Sequence, residues 1–437
     1  MQNVLEHLSD VEDALAQRAN TVRNRGVMSY TKLSQCRVCG NGRLTTTLDL
    51  GVQELTGVFP KDKNTKLTSG PLDLVWCDEC GLLQLGHSYN ANEMYGSNYG
   101  YRSGLNASMV AHLNSKVHHL ERVFKPAEGD IIIDIGSNDS TTLKAYKTLG
   151  LRLVGIDPVG AKFKSFYPDN VELIPDFFSP GLYKRRFSEN AKIITSIAMF
   201  YDLDSPIEFA CGIESILRDD GIWHFEQSYM PSMLRLCSYD TVCHEHLEYY
   251  SLNVVKYILE QANLKILDVV MNAVNGGSFA VTAAKQTSTL QANNTVINWL
   301  LEKEERSGLK TLAPYKAFAE NVRLHRANLR RLLVGLNSSG KKIYCYGAST
   351  KGNVVLQYCD LTEREIIAIA EVNEDKFGAF TPGTHIPIIS ENDARAQRPD
   401  YFLVLPWHFK DNILTRESQF LIDGGKFIFP FPEIEII

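Results

Sequence analysis

The sequence lacks the apolar runs and the basic excess that would mark a membrane or nucleic-acid protein. No apolar run approaches the ~18 residues that a bilayer-spanning helix needs. The 437-residue chain has a net charge of −6, from 45 basic and 51 acidic residues, which argues against nucleic acid as a partner. The first thirty residues also lack the basic-then-apolar layout of a signal peptide. We therefore expect a cytoplasmic protein that is a monomer or a weak homodimer.

Cysteine is too sparse for a secreted disulfide scaffold, since only nine are spread over 437 residues. Four of them form two CxxC-Gly turns, Cys36/Cys39 and Cys77/Cys80. Each turn places two thiolates on one side, and the glycine that follows it relieves backbone strain in the turn. Four thiolates suit tetrahedral Zn²⁺, with a redox pair or an iron–sulfur cluster as alternatives. We expect residues 48–74 to form a small sheet between the turns.

The stretch 131–143, IIIDIGSNDSTTL, predicts a strand, a glycine turn and a helix N-terminus. The β-branched run Ile131–Ile133 is typical of a strand buried on both faces. Gly136 allows the tight turn that follows. Ser140, Thr141 and Thr142 are expected to cap a helix that begins near Leu143.

This turn lacks the second and third glycines of the dinucleotide pattern G-x-G-x-x-G. Its acids, Asp134 and Asp139, would repel a pyrophosphate but suit the cationic sulfonium and ammonium groups of S-adenosylmethionine (SAM). The next strand, 153–156, ends at Asp157, where a carboxylate can accept both ribose hydroxyls. Asp176, after strand 171–174, is placed to meet the adenine amino group. The predicted cofactor-binding residues are Asp134, Gly136, Asn138, Asp139, Asp157, Asp176 and Phe177.

Two further clusters carry candidate chemistry. His244, Glu245 and His246 are consecutive, so they lack the spacing of the HExxH metal pair. An imidazole beside a carboxylate that orients it can instead take a proton from carbon next to a carbonyl, although a solvated turn would also fit. The glycine-rich loop that holds Tyr89, Tyr95, Tyr99, Tyr101 and Arg102 offers ligand walls, or else packs on a neighbouring domain.

Alternating strand and helix patterns predict an α/β fold with a doubly wound, mainly parallel sheet. We expect its fourth strand at 192–200, a helix end at 215–220, a strand at 222–227 and a hairpin turn at 275–278. A second strand–turn–helix follows, with strand 342–346, a loop at 347–353 and a helix from 354. Its loop carries Lys351 and no acid, so it should bind an anion such as a diphosphate, unless this domain is purely structural.

Taken together, these segments resemble the SAM-dependent sugar C-methyltransferases of deoxysugar biosynthesis. The resemblance rests on CRVCG…CDECGLLQL, MYGSNYGYRSG, DIGSND, CHEHLEYYS, YGASTKGN and FTPGTHIPI, in that order. It implies a zinc-binding domain (31–90), a class I SAM methyltransferase domain (91–285) and a C-terminal Rossmann-like substrate domain (286–437). Before these domains, the apolar spacing of residues 2–24 predicts an amphipathic helix, so we expect a helical extension at 1–30. The implied substrate is a nucleotide-linked 4-keto-6-deoxy sugar, with dTDP as the expected nucleotide and C3 as the expected carbon.

The resemblance also implies residue roles. The base maps onto His246 with Glu245 beside it, while His244 has no role in the family pattern. Cys243 replaces a tyrosine of many members, and Phe200 and Tyr201 stand where many carry a histidine. Tyr99, Tyr101 or Tyr201 would then supply the missing hydroxyl. The expected substrate contacts are Tyr95, Arg102, Ser349, Lys351, Asn353, Thr384 and Trp407.

Two other functions fit parts of the sequence. One is a SAM-dependent O- or N-methyltransferase, which needs only a base near a heteroatom. The other is a zinc-knuckle binding protein without catalysis.

Overall fold

The computed structural model describes residues 30–94 and 101–437. The predicted N-terminal helix (2–24) and the candidate tyrosines Tyr95 and Tyr99 lie outside these ranges. No helix within them is both long and apolar enough to cross a membrane.

Strands and helices alternate along most of the chain. The strands are β1 (Tyr30–Lys32), β2 (Leu44–Glu54), β3 (Ser69–Cys77), β4 (Leu83–Leu85), β5 (His87–Tyr89), β6 (Ile131–Ile135), β7 (Arg152–Ile156), β8 (Val171–Ile174), β9 (Ala191–Ile197), β10 (Leu217–Ser228), β11 (Glu248–Tyr249), β12 (Leu264–Asn272), β13 (Ser278–Lys285), β14 (Ile343–Tyr346), β15 (Ile369–Glu371), β16 (Ile388–Ser390), β17 (Tyr401–Val404), β18 (Lys426–Phe429) and β19 (Glu435–Ile436). The α-helices are Ala91–Met94, Ala107–Phe124, Thr141–Lys144, Pro180–Lys184, Pro206–Ile216, Met230–Leu236, Leu252–Gln261, Asn294–Arg306, Ala313–Ser338, Thr350–Tyr358, Glu391–Ala396, Lys410–Arg416 and Ser418–Ile422.

A four-stranded sheet in the order β11-β4-β3-β2 carries both CxxC turns. Strands β2 and β3 pair antiparallel, which confirms the small sheet predicted between the turns. The edge strand β11 comes from far along the chain and pairs antiparallel with β4. The N-terminal sheet is therefore completed by the segment that holds the candidate catalytic histidines.

The central sheet has seven strands in the order β12-β13-β10-β9-β6-β7-β8. The strands from β10 to β8 in this order pair parallel, and β13 pairs antiparallel with both of its neighbours. All five residues of β6 are buried, because helices cover both faces of a sheet of this kind. The predicted doubly wound sheet is confirmed.

Two element boundaries in this sheet differ from the prediction. Strand β9 stops at Ile197 instead of 200, because Ala198 takes a positive φ of 55°. The Phe200 ring then turns into the core, where it packs 5.1 Å from Trp223. Residues 217–220 belong to β10 instead of a helix end.

The cap of the short helix Thr141–Lys144 also differs from the prediction. Ser140 adopts a left-handed conformation, with φ at 65°, and its hydroxyl caps no helix N–H. Asp139 Oδ1 instead accepts bonds from the Thr141 amide (3.3 Å) and hydroxyl (2.5 Å). A carboxylate of the turn thus takes the role that the sequence suggested for the hydroxyl residues.

The C-terminal sheet has six strands in the order β16-β15-β14-β17-β18-β19, of which β19 alone pairs antiparallel. This confirms the second Rossmann-like domain. Its helix begins at Thr350, before the predicted 354, since Ser349 Oγ accepts a bond from the Gly352 amide at 3.0 Å.

Strand order reverses between β14 and β17, where open α/β sheets hold their ligands. The two walls of this crevice approach each other closely. A Cβ atom at Gly347 would lie 2.8 Å from Pro406 Cδ, and one at Gly352 would lie 2.7 Å from Leu405 Cδ1. Glycine at both positions therefore allows the loop after β14 to pack against the end of β17.

The N-terminal sheet packs on both larger domains. It shares one hydrophobic core with the C-terminal sheet, while Cys36 and Cys77 belong to the core of the central domain. Asn353 Nδ2 donates to the Thr56 carbonyl at 2.7 Å, and the Glu54 amide donates to Gln357 Oε1 at 2.8 Å. The three parts consequently form a continuous packed unit.

Candidate active site and metal centre

The four predicted metal ligands converge in one place. The sulfur atoms of Cys36, Cys39, Cys77 and Cys80 all lie within 4.8 Å of one another, with Sγ–Sγ distances of 3.5 Å for Cys36–Cys80 and 3.4 Å for Cys39–Cys77. A tetrahedral Zn²⁺ site with Zn–S bonds of about 2.3 Å has sulfur separations of about 3.8 Å. The four thiolates thus fit one zinc ion.

Both turns are closed by the same backbone bond. The amide of Gly40 donates to the Cys36 carbonyl at 2.9 Å, and that of Gly81 donates to the Cys77 carbonyl at 3.0 Å. The two glycines have φ values of 72° and 79°, in the left-handed region that glycine tolerates best. The predicted role of the trailing glycines is confirmed.

The cofactor cradle lies at the carboxyl ends of β6 and β7. Asp157 accepts bonds from the amides of Asn138 (2.8 Å) and Val159 (2.7 Å). Asp134 accepts from Thr195 Oγ1 at 2.5 Å, and burial raises its pKa to about 7. A cation in the cradle would favour the ionised carboxylate, so the acidic residues fit SAM.

The loop that follows residue 100 folds over this cradle. The Ser103 amide donates to Asn138 Oδ1 and the Gly104 amide to Asp139 Oδ2, each at 3.0 Å. The Arg102 guanidinium lies 4.2 Å from the centre of the Phe166 ring, and its Nε is 4.0 Å from Asp139 Oδ2. Arg102, predicted as a substrate contact, thus lies beside the predicted cofactor residues.

Three other predicted residues near this cradle lie at the surface. Tyr101 is 50% exposed, and its carbonyl accepts a bond from Asn138 Nδ2 at 3.2 Å. Phe177 is 49% exposed, and Asp176 Oδ1 accepts a bond from the Phe177 amide at 2.8 Å. Contact with adenine stays a prediction for Asp176, and cofactor binding stays a prediction for Phe177.

The imidazole of His246 is held in one orientation. Its Nδ1 lies 2.8 Å from the Thr241 carbonyl, so Nδ1 carries the proton and Nε2 keeps a lone pair. The acceptor is a backbone carbonyl, where the sequence suggested Glu245. The His246 ring packs edge-on against Tyr201, with ring centres 4.4 Å apart.

Tyr201 links this histidine to the cofactor cradle. Two residues earlier in the same turn, Met199 Cγ lies 3.1 Å from the place where a Cβ atom of Gly136 would be. Burial of the imidazole lowers the pKa of His246 to about 3, and the nearby positive charge of Lys351 adds to this shift.

The other two members of the cluster point elsewhere. His244 is completely buried, with its ring edge-on to Tyr89 at 4.6 Å, and burial lowers its pKa to about 3. The Glu245 carboxylate lies against Gly57 of the N-terminal domain. His246 is therefore the member of the three whose setting suits proton transfer.

Two predicted substrate residues reach the same region from the C-terminal domain. Lys351 Nζ donates to the Asn275 carbonyl at 3.2 Å. Trp407 Nε1 donates to Asp240 Oδ2 at 2.8 Å. Sequence reasoning missed Asp240, although it stands six residues before His246 in the same cluster. The Trp407 bond joins the 239–246 segment to the C-terminal domain, and the Lys351 bond joins the turn at Asn275 to it.

The remaining predicted substrate residues make contacts within the protein. Ser349 caps a helix and Asn353 bonds to the N-terminal domain, as described above. Thr384 Oγ1 lies 2.6 Å from Thr381 Oγ1. Phe200 and Cys243, which replace family residues, are completely buried, and burial holds the pKa of the Cys243 thiol well above its usual value. Among the tyrosines proposed to supply a hydroxyl, Tyr201 contacts His246.

Three family models match consecutive parts of the chain. A zinc binding domain matches residues 36–95, a methyltransferase domain matches 110–269, and a C-methyltransferase C-terminal domain matches 273–432. The chain is 30% identical over 409 residues to C-methyltransferase NovU of Streptomyces niveus, covering 93% of this chain and 97% of that protein.

Solved structures resemble part of the chain only distantly. A SAM-dependent methyltransferase from Clostridium acetobutylicum is 10% identical, with a TM-score of 0.31, over 40% of this chain and 92% of that one. The glycopeptide N-methyltransferase MtfA is 9% identical, with a TM-score of 0.30, over 39% and 86%. The family assignment therefore rests on the sequence matches.

Substitution of a zinc ligand tests the metal site. Elemental analysis of the native protein should give close to one zinc per chain. Cys77→Ser should lose the metal and the folded N-terminal sheet, because a structural zinc contributes directly to folding. Cys211→Ser, which changes an exposed cysteine outside the cluster, should keep both. A folded, metal-free Cys77→Ser protein with full activity would contradict the assignment.

Substitution of Asp157 tests the cofactor cradle. Asp157→Ala should weaken SAM binding by about 1.5–3 kcal/mol, the range of hydrogen bonds to charged groups, as measured by calorimetry. Asp169→Ala, on the exposed turn before β8, is the matched control and should bind SAM normally. Unchanged affinity in a folded Asp157→Ala variant would show that the ribose binds elsewhere.

Proposed function

The chain belongs to the family of SAM-dependent C-methyltransferases with an N-terminal zinc-binding domain, and on that premise we propose that its substrate is a nucleotide-linked 4-keto-6-deoxy sugar. The methyl group goes to carbon beside the ketone, with C3 as the proposed position and dTDP as the proposed nucleotide. The observation that carries this proposal is the His246 imidazole, held with its Nε2 lone pair available beside the cofactor cradle.

His246 acts as the general base. Its Nε2 removes the proton from carbon beside the ketone, and the electron pair of the broken C–H bond forms an enolate. The Thr241 carbonyl stabilises the resulting imidazolium through the Nδ1–H bond. SAM, when bound, supplies an electrophilic methyl group. With SAM held in the cradle, its methyl group would pass to the enolate carbon as the S–CH₃ bond breaks, and His246 would then return its proton to water.

Lys351 provides positive charge on the substrate side. It is the second residue of the helix Thr350–Tyr358, and the N-terminus of such a helix favours anions. Its ammonium lies at the contact with the methyltransferase domain, bonded to the Asn275 carbonyl. This position suits either the diphosphate or the enolate oxygen of the bound keto sugar. The position of Lys351 supports binding of the nucleotide at this contact between domains.

Substitution of each histidine distinguishes the role of His246 from that of His244. General-base catalysis is typically worth roughly 10²–10⁴-fold, so His246→Asn should lose at least about a hundredfold in turnover while still binding SAM. His244→Asn should lose much less activity per folded molecule. In D₂O without SAM, the native enzyme should exchange the α-proton of the keto sugar and His246→Asn should not. Normal exchange in that variant would assign the role of the base to a residue other than His246.

The pH dependence of catalysis follows from the surroundings of His246. An unperturbed histidine has a pKa of about 6.5, and burial together with Lys351 lowers that of His246. The neutral base therefore persists as pH falls below 6.5. The acidic limb of kcat/KM should lie at least about one unit below that value, and Lys351→Met should move it toward 6.5. A limb at 6.5 in the native enzyme would contradict this description of the site.

A further inference from the structure

We propose that Arg37, which stands between the two zinc ligands of the first CxxC turn, is a positioning residue for the base. Together with Glu248 it forms a buried ion pair, which we call the 37–248 pair. This inference rests on the proposed role of His246. It gives the zinc-binding domain a part in catalysis beyond stabilising its own fold.

The Arg37 side chain is only 2% exposed, and both of its terminal nitrogens donate hydrogen bonds. Its Nη1 donates to the Leu85 carbonyl at 2.8 Å, and its Nη2 donates to the His87 carbonyl at 3.2 Å and to Ser88 Oγ at 2.8 Å. A guanidinium held by several acceptors has little freedom to move. Arg37 thus fixes β4 and the start of β5 relative to the zinc turn.

Two carboxylates lie on the remaining side of the guanidinium. Arg37 Nε is 3.6 Å from Oδ1 of the exposed Asp204 and 3.7 Å from Oε1 of Glu248, whose side chain is completely buried. Neither carboxylate oxygen of Glu248 has a hydrogen-bond partner among the described residues. Burial raises the pKa of Glu248 and the Arg37 charge opposes this shift, so the guanidinium favours the ionised form of a carboxylate whose charge would otherwise be costly in the interior.

The pair acts directly on the catalytic segment. Glu248 begins β11, two residues after His246, and it pairs with Gln84 of β4. The Leu85 amide donates to the Leu247 carbonyl at 2.9 Å, and the Leu247 amide donates to the Tyr201 carbonyl at 2.8 Å. The residue after His246 is therefore bonded on one side to the zinc-domain sheet and on the other to the turn beside the cofactor cradle.

A displacement of β11 would change the orientation of the His246 imidazole. The ring is anchored at Thr241, before it in the chain, and at Leu247, directly after it. Loss of the second anchor leaves Nε2 without a fixed direction. Misplacement of a catalytic group by about 1 Å can cost roughly a hundredfold in rate. Arg37 thus controls turnover without touching substrate or cofactor.

Arg37→Met tests the pair, because it keeps the apolar stem and removes the guanidinium. The matched control is Arg43→Met, since Arg43 also belongs to the zinc domain but is exposed, bonded to Asp78 at 2.8 Å. We expect kcat to fall by about tenfold or more in Arg37→Met, with KM for SAM and zinc content unchanged. Arg43→Met should stay within about twofold of the native enzyme.

A second readout follows the His246 ring itself. In protein labelled with ¹⁵N-histidine, the Nδ1–H signal of His246 is identified by its loss in His246→Asn. This signal should shift or broaden in Arg37→Met and remain in place in Arg43→Met. A role in stability alone would lower the folded fraction without moving this signal. Native turnover together with an unmoved signal in Arg37→Met would overturn the proposal.

If Arg37→Met does not fold, Glu248→Gln tests the 37–248 pair instead. This variant replaces the buried carboxylate with a neutral amide, so no unpaired charge is left in the interior. The same signal should move, and kcat should fall less than in Arg37→Met. The double variant should be no worse than Arg37→Met, since coupled residues are not additive. An unmoved His246 signal in Glu248→Gln would overturn the proposal. If native enzyme fails to exchange the α-proton of the keto sugar, the proposed function fails, and the histidine signal still tests the pair.

Discussion

The pairing of β11 with β4 is the contact on which the site depends. It joins a strand of only two residues to a sheet whose turns converge on the four thiolates. Such a strand has too few bonds to be stable alone. Its position is therefore set by the zinc-binding sheet, and this position in turn places Leu247 and the neighbouring His246 beside Tyr201.

The start of the same segment is held by the C-terminal domain. Tyr239 lies in a buried cluster, with its hydroxyl 3.0 Å from His325 Nδ1 and 3.3 Å from Cys359 Sγ. Asp240 accepts the bond from Trp407. Residues 239–249, which belong to the central domain, thus contact the C-terminal domain at their start and the zinc-binding sheet at their end. The proposed base is therefore held by contacts from all three domains, which is how a loop can position a side chain as precisely as a helix or strand does.

The two Rossmann-like domains use their acids in the same way but differ at the crevice. Asp157 after β7 and Glu371 at the end of β15 each accept a backbone amide from the turn after the neighbouring strand, at Asn138 and at Ala348. In the central domain this turn leaves an acidic cradle. In the C-terminal domain Pro406 packs closely against Gly347 of the corresponding turn, and Lys351 reaches across the surface to the Asn275 carbonyl.

The sequence alone determined the strands, the zinc ligands and the carboxyl-end acids, because strand period, CxxC spacing and glycine turns are local patterns. It also located the HEH cluster, and resemblance singled out His246 within it. Tertiary structure decided which groups surround that histidine: a backbone carbonyl on Nδ1, Tyr201 on its ring, and β11 in another domain's sheet. These partners stand far apart in the sequence or contribute only backbone atoms. No residue type or spacing records such contacts, so they exist only once the chain has packed.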